Sequence, residues 1–97
     1  MAKLEEIKNF KMERANTLAM SSDYKERFVG EYMQLKIRTE KLEVMLAKWD
    51  AGTLEFTPTC MRSIYNGQIH AMKEYLMFLE NRATIEDIDL VAIANAE

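Results

Sequence analysis

The apolar positions of this chain recur with the spacing of helices that pack lengthwise against a partner. A first run, between Ser22 and Gly52, alternates intervals of four and three residues: Phe28, Tyr32, Leu35, Thr39, Leu42, Leu46 and Trp49. A second run repeats that alternation: Tyr65, Ile69, Met72, Leu76, Leu79 and Ala83. Each run is a heptad seam on one helix. Two such helices joined by a short loop predict a long antiparallel helical hairpin and an all-α fold.

Capping signals predict where the first long helix begins and ends. Ser22 is a good N-cap residue, and Gly52 suits the left-handed position after a helix, so the helix is predicted over about residues 23–51. The preceding residues 1–21 have a weaker apolar pattern that indicates an N-terminal helical segment or arm. The hairpin domain is therefore predicted over residues 22–97.

The second half of the chain carries comparable signals. Thr59 follows a proline and is the predicted N-cap of the second long helix, over about residues 60–83. Thr84, with Asp87 three residues later, resembles a capping box and predicts a restart of the helical pattern. A short C-terminal helix is therefore expected over about residues 85–95.

Both long helices carry a second apolar row besides the seam. The first helix has Val29, Met33, Ile37 and Val44, and the second has Ile64, Ala71, Tyr75 and Phe78. A helix with apolar side chains on two sides contacts partners on two sides. Two interpretations are open for the row on the first helix, which either covers the N-terminal segment of the same chain or forms a subunit interface. The surplus on both helices predicts a homo-oligomeric bundle, at least a dimer, with these rows as its interface.

Composition narrows the classes of function. The 97 residues carry a net charge of −3, against the basic excess that a general nucleic-acid binder normally has. The longest apolar run, from Leu90 to Ala94, is far shorter than a membrane-spanning helix, so no membrane partner is predicted. A single Cys and a single His provide no credible zinc site, and no cofactor or metal is predicted. A lone cysteine without an apolar leader favours the reducing cytoplasm.

Candidate catalytic residues are few. His70 and Glu74 are four positions apart and could form a histidine–carboxylate pair, but no nucleophile accompanies them. Cys60 lies at the predicted start of a helix, where burial in an apolar loop cluster is favoured over a reactive thiolate. The sequence therefore predicts a protein that is not an enzyme.

One stretch has the chemistry of an anion site. Arg62 lies at the predicted start of the second long helix, whose free N–H groups favour a negative charge. Thr57 and Thr59 precede it with hydroxyl groups, and Phe56 and Tyr65 could stack on a base. Together these five residues predict a site for a phosphate-bearing ligand. The alternative is that Thr59 only caps the helix and Arg62 only pairs with a carboxylate.

Three segments resemble a known protein family. They are the segment from Asp23 to Phe28, the loop Trp49-Asp-Ala-Gly-Thr-Leu-Glu-Phe-Thr-Pro-Thr-Cys60, and the segment from Met72 to Leu76. The chain is similar here, over about residues 23–90, to small phage and prophage proteins named after a product of a crAss-like phage. Met61 departs from that pattern, which has a proline after the cysteine.

That resemblance implies a viral origin and no known enzyme activity. By analogy of class, small all-helical phage proteins include anti-defence "sponges" that oligomerise and sequester the cyclic nucleotide signals of bacterial immunity. The resulting hypothesis is a phage protein that binds such a signal in the cytoplasm of the infected host and so inhibits anti-phage defence. The alternative is a protein-interaction module that binds a host or phage protein through an exposed apolar helix face.

Overall fold

A computed structural model describes residues 4–96, and within that range every regular element is helical. A short 3₁₀ turn, Leu4–Glu6, precedes four α-helices: α1 (Met12–Ala19), α2 (Tyr24–Ala51), α3 (Arg62–Ile85) and α4 (Leu90–Asn95). The molecule is elongated, with principal extents of 41 × 24 × 24 Å, because α2 runs almost its full length. The all-helical prediction is confirmed.

Helices α2 and α3 pack along the two predicted heptad seams. Phe28, Tyr32 and Leu46 are buried on α2, and Leu76 and Leu79 are buried on α3. The one polar member of the seam, Thr39, is also buried. Its hydroxyl donates a hydrogen bond to the backbone carbonyl of Leu35 at 2.7 Å, which satisfies the polar group inside the interface.

The structure shifts two predicted helix starts. The N-cap of α2 is Asp23 rather than Ser22, because the Asp23 carboxylate accepts a hydrogen bond from the backbone N–H of Glu26 at 3.0 Å. A carboxylate at the positive end of a long helix is a favourable cap. The N-cap of α3 is Met61 rather than Thr59, and it makes no side-chain cap hydrogen bond. Gly52 ends α2 with φ of 74°, as predicted.

The end of α3 also differs from the prediction. The helix runs through Thr84 to Ile85 without a restart. Asp87 then adopts a positive φ of 57°, which turns the chain and brings Ile88 into the core. Asp89 caps α4 by accepting a hydrogen bond from the backbone N–H of Ala92 at 3.1 Å.

The N-terminal segment packs closely against α2. Within the predicted segment 1–21, residues 1–3 lie outside the described range, and α1 is the only α-helix of the described part. Gly30 of α2 permits the close approach, since a Cβ there would lie 2.3 Å from the backbone nitrogen of Ala19 and 2.8 Å from the carbonyl oxygen of Ala15. Side chains from α1 and the hairpin share one hydrophobic cluster, and the division into two domains stays a prediction.

The hairpin therefore has two unlike ends. At the base, α1, α4 and the N-terminal turn cover the first half of α2 and the last turns of α3, and the hydrophobic cluster lies there. At the tip, the last turns of α2 and the first turns of α3 contact each other next to the loop 52–61. We use "base" and "tip" in this sense below.

Candidate functional site

The predicted anion site lies at the tip, where the ends of α2 and α3 meet. The planar guanidinium of Arg62 binds the Asp50 carboxylate through two nitrogens, with Nη1–Oδ1 and Nη2–Oδ2 distances of 2.6 and 3.2 Å. Its Nε donates a third hydrogen bond to Asn66 Oδ1 at 3.0 Å. The same guanidinium lies 5.1 Å from the ring centroid of Trp49, and Tyr65 meets that ring edge-on at 5.8 Å. We call Trp49, Asp50, Arg62 and Tyr65 the tip cluster.

Heptad packing and helix geometry explain the tip cluster. Trp49 and Tyr65 are the last and first members of the two seams, so the hairpin brings their rings together. Arg62 and Asn66 are one helical turn apart, which lets the amide oxygen of Asn66 orient the guanidinium. A cation over an indole face with a second aromatic ring beside it is a geometry that also binds ligands with flat rings and charges.

The ion pair sets the charge of the tip cluster. The hydrogen bond from Arg62 holds the pKa of the Asp50 carboxyl below its usual value, and the same bond raises the pKa of Arg62. Both groups therefore carry their charges at neutral pH. Because the pair is exposed to water, its attraction is screened and a stronger anion can compete with Asp50 for the guanidinium.

The loop residues of the predicted site are close to the tip cluster in sequence, but their side chains are not part of it. Phe56 is 57% exposed, and Thr57 and Thr59 are exposed. The hydrogen bonds of Arg62 go to Asp50 and Asn66, and not to either threonine. The structure thus joins Arg62 and Tyr65 in one cluster and leaves the other three side chains facing solvent.

Two members of the tip cluster, Trp49 and Asp50, were not predicted as site residues. Trp49 was assigned to the heptad seam, and Asp50 appeared only within the loop that carries the family resemblance. The signal that could have found them is the hairpin itself, because Asp50 and Arg62 flank the loop from either side. An antiparallel hairpin necessarily brings the last turn of one helix beside the first turn of the next.

A second arginine at the base has similar surroundings. Arg82 lies 4.9 Å from the ring centroid of Phe28 and donates to Glu86 Oε2 at 3.2 Å. Tyr24 joins it, accepting from Arg82 at 3.0 Å and donating to Glu86 at 2.6 Å. The hydrogen bond from Tyr24 is the largest cause that lowers the pKa of Glu86. Arg82 is thus an internal counterpart of Arg62 at the opposite end of the hairpin.

A cavity of about 560 Å³ opens at the base, between α3, α4 and the N-terminal turn. Its lining is mostly apolar and carries three carboxylates, Glu80, Asp87 and Asp89. Two of them already have structural partners, since Glu80 accepts from the Tyr32 hydroxyl at 2.6 Å and Asp89 caps α4. Three acidic groups repel phosphate, so this cavity does not suit the predicted ligand.

The other candidate chemical groups are exposed. His70 Nε2 lies 3.7 Å from Glu74 Oε1 on the surface of α3. Cys60 is exposed, so the prediction that it is buried in an apolar loop cluster was wrong: the loop turns the thiol outward. No group of three or more potential metal ligands occurs among residues 4–96. In the same range, no helix has the length and hydropathy needed to span a membrane.

The predicted interface residues divide into covered and open sets. Val29 and Met33 are fully buried and Ile37 is 9% exposed. Val29 and Met33 belong to the hydrophobic cluster that α1 joins, so their partner lies within the chain. The open set is Val44, Ile64, Tyr75 and Phe78, each between 45% and 60% exposed. Assembly through these side chains stays a prediction.

Comparison with known proteins identifies one family. A search of curated proteins and a search of solved structures found no match. The model of the Sequestin family matches residues 22–85, which run from the residue before the α2 cap to the last residue of α3. The match thus spans the whole hairpin, including the tip cluster and the exposed apolar side chains of α3. The family name indicates a sequestering, binding role, and the chain belongs to the Sequestin family.

Proposed function

We propose that the protein is a phage-encoded binding protein that sequesters a phosphate-bearing cyclic nucleotide, a signal of bacterial immunity, and so inhibits anti-phage defence. The observation that carries the proposal is the tip cluster, which lies inside the segment shared with the Sequestin family. The protein acts by binding the signal without converting it.

The tip cluster offers both kinds of contact that a nucleotide needs. Trp49 and Tyr65 form an aromatic pair, which suits stacking on a base. Arg62 carries a planar guanidinium that matches a phosphate with two parallel hydrogen bonds. The N-terminus of α3 adds backbone N–H groups with no side-chain cap, and these favour a negative charge nearby.

Asp50 is the internal competitor for the ligand. Its carboxylate occupies both terminal nitrogens of Arg62, which are the donors that a phosphate would use. A nucleotide phosphate therefore displaces Asp50 or shares the guanidinium with it. Because the ion pair is exposed to water, replacing Asp50 by a phosphate costs little free energy.

Titration calorimetry with cyclic mononucleotides and cyclic dinucleotides, and with inorganic phosphate as a reference, tests the proposal. We expect saturable binding of a cyclic nucleotide that Arg62→Gln weakens by at least about tenfold, because a hydrogen-bonded charge is lost. Asp50→Asn should tighten binding, since it removes the competing carboxylate. Arg82→Gln is the matched control, because Arg82 has the same kinds of neighbours at the other end of the hairpin.

The absence of saturable binding across the panel would contradict the proposal. An equal loss of affinity in the Arg62 and Arg82 variants would also contradict it, since the effect would then not come from the tip. Circular dichroism of each variant separates loss of binding from loss of fold.

A protein-interaction module is the second candidate, and the exposed apolar side chains favour it. Val44 is 54% exposed on α2, beyond the reach of α1. A Val44→Asp variant should then lose a host or phage protein while it keeps its helical content and any nucleotide binding. Substitution of Val29 or Met33 is unsuitable for this test, because both side chains are fully buried.

A further inference from the structure

Helix α3 carries a second heptad seam beside the face that packs on α2, and two of its members, Tyr75 and Arg82, reach Glu31 and Phe28 of α2 with their polar ends. Its positions alternate intervals of three and four residues: Met61, Ile64, Gln68, Ala71, Tyr75, Phe78, Arg82 and Ile85. All eight residues are exposed. The large apolar ones are exposed by 71% at Met61, 60% at Ile64, 45% at Tyr75, 59% at Phe78 and 82% at Ile85. We call these eight residues the outer seam.

The spacing of the outer seam specifies the shape of its partner. An apolar stripe with a 3.5-residue period stays in register with another helix, and not with a flat sheet or a loop. The stripe covers α3 from its N-cap to its last residue, so the partner helix is about as long as α3 itself.

The area of the outer seam is that of a stable interface. A large side chain presents about 150–250 Å² when it is fully free, so five such residues at these exposures present on the order of 600 Å². Each partner in a standard protein interface contributes about 800 Å². The flanking polar residues supply the remainder, so one helix pairing would bury the whole stripe.

We propose that the outer seam is the dimer interface, in which α3 of one copy packs antiparallel against α3 of a second copy, with the twofold axis near Lys73. This register is the one that places all eight seam positions opposite a seam position. Under a twofold axis the same patch serves both copies, so the pattern must complement itself when reversed.

The outer seam does complement itself in that register. Small Ala71 lies opposite bulky Tyr75 of the second copy, and Met61 lies opposite Ile85. The aliphatic stem of Arg82 covers Ile64 while its charged head stays with Glu86 at the surface. A small residue opposite a large one fills a helix interface without a cavity.

The parallel arrangement lacks this complementarity. A parallel pairing in register would place each seam residue opposite itself. The two Arg82 side chains would then face one another, and repulsion between their like charges disfavours that pairing. Ala71 would face Ala71 and leave a gap. The packing of Ala71 against Tyr75 and the separation of the two Arg82 side chains therefore favour the antiparallel pair.

Sedimentation equilibrium tests the proposed interface. We expect the wild-type protein to be a dimer, and Phe78→Glu to weaken dimerisation by roughly 30-fold or more, as for a central interface residue. Met77→Glu is the matched control, because Met77 is an exposed apolar neighbour on α3 that lies outside the seam, at 48% exposure. Its dimerisation should change by less than about threefold, within the usual range for a residue at the interface rim. Both variants should keep their helical circular dichroism.

Thiol cross-linking tests the antiparallel register. Near the twofold axis, Glu74 meets Glu74 of the second copy at the edge of the seam. A Cys60→Ser/Glu74→Cys variant should therefore cross-link to a covalent dimer with a short bis-maleimide. The Cys60→Ser/Lys73→Cys control should not, because Lys73 faces α2, where it pairs with Glu43. Wild-type Cys60 should not cross-link either, since the antiparallel pair places the two Cys60 residues at opposite ends.

Three results would overturn the proposal. A wild-type protein that stays monomeric at high concentration would show that the outer seam does not bind a second copy of this chain. A dimer that tolerates Phe78→Glu would place the interface elsewhere. Efficient cross-linking of wild-type Cys60 would show a parallel pair. None of these results depends on whether the protein binds a nucleotide, so this inference and the proposed function fail separately.

Discussion

The base and the tip of the hairpin are built from the same two helices, yet they differ in how well those helices are buried. At the base, Phe28, Val29, Tyr32 and Met33 are successive apolar residues of α2 with at most 3% exposure. At the tip, Leu46 is the buried apolar residue of α2, at 7% exposure. The difference teaches that a heptad seam alone half-buries a helix, and that a third layer completes the burial.

The two ends also differ in what their polar groups do. At the base, the polar side chains serve the fold: Tyr32 pairs with Glu80, and Asp89 caps α4. At the tip, the ion pair of Arg62 and Asp50 is accessible to water and lies against a half-buried aromatic pair. Stability is thus concentrated at the base, and groups that can bind a ligand at the tip.

The largest expected effect tests the contrast in burial. Leu79→Ala removes a side chain that is 1% exposed at the base and should lower the free energy of unfolding by about 2–5 kcal/mol. The counterpart, Leu42→Ala, lies on the seam of α2 beyond α1 and is only partly buried. This variant should lower the free energy of unfolding by clearly less, because water already reaches the Leu42 side chain. Chemical denaturation of both variants measures the difference, and equal losses would contradict the contrast.

A pair of glycine substitutions sharpens the comparison. Gly30→Ala at the base would force a methyl group into the backbone of α1, and we expect a loss of about 1–3 kcal/mol despite the better helix propensity of alanine. Gly67→Ala in the first half of α3 has open space and should raise the free energy of unfolding by about 0.5–1 kcal/mol. Thermal melts of the two variants check the opposite signs. A destabilising Gly67→Ala would show that α3 has a close neighbour there.

A last expected effect is the dependence of the free energy of unfolding on alkaline pH. Burial, followed by the hydrogen bond to Glu80, raises the pKa of Tyr32 far above the ordinary value of 10.0. The folded state therefore favours the protonated phenol, and the stability that this contributes is present below pH 10 and lost as the pH rises above it. The loss for one such group approaches about 1.4 kcal/mol per pH unit.

Tyr32→Phe tests that assignment. The variant should lose about 1 kcal/mol at neutral pH with the hydrogen bond to Glu80, and its free energy of unfolding should fall less steeply above pH 10. Tyr24→Phe is the control, since Tyr24 is 46% exposed and its raised pKa comes mainly from the hydrogen bond to Glu86. An unchanged alkaline slope in Tyr32→Phe would contradict the role of Tyr32.

Much of the fold could be predicted from the sequence, because it depends on local patterns. The two heptad seams specify the helices, their length and their antiparallel pairing. Gly52 specifies the end of α2, since its position after the helix requires a left-handed residue. Cap positions were less well determined: Ser22 and Asp23 are both good caps, and in the structure Asp23 is the one that accepts the N–H of Glu26.

The predicted site illustrates the limit of such patterns. A row of residue types along the chain indicated Arg62 and Tyr65, and in the structure both lie against Trp49. It could not show that Asp50 takes up the donors of Arg62, because that contact depends on the register of two helices across a loop.

The sequence by itself determined that this chain is a helical hairpin with more apolar surface than a hairpin can bury. Periodicity is a local property, and the excess can be read from it directly. Only the tertiary structure decided which rows are covered. Helix α1 covers Val29 and Met33 because Gly30 lets its backbone come close, and Val44 is left exposed. The outer seam of α3 is left open for the same reason: burial depends on where a distant segment docks, and no local pattern specifies that.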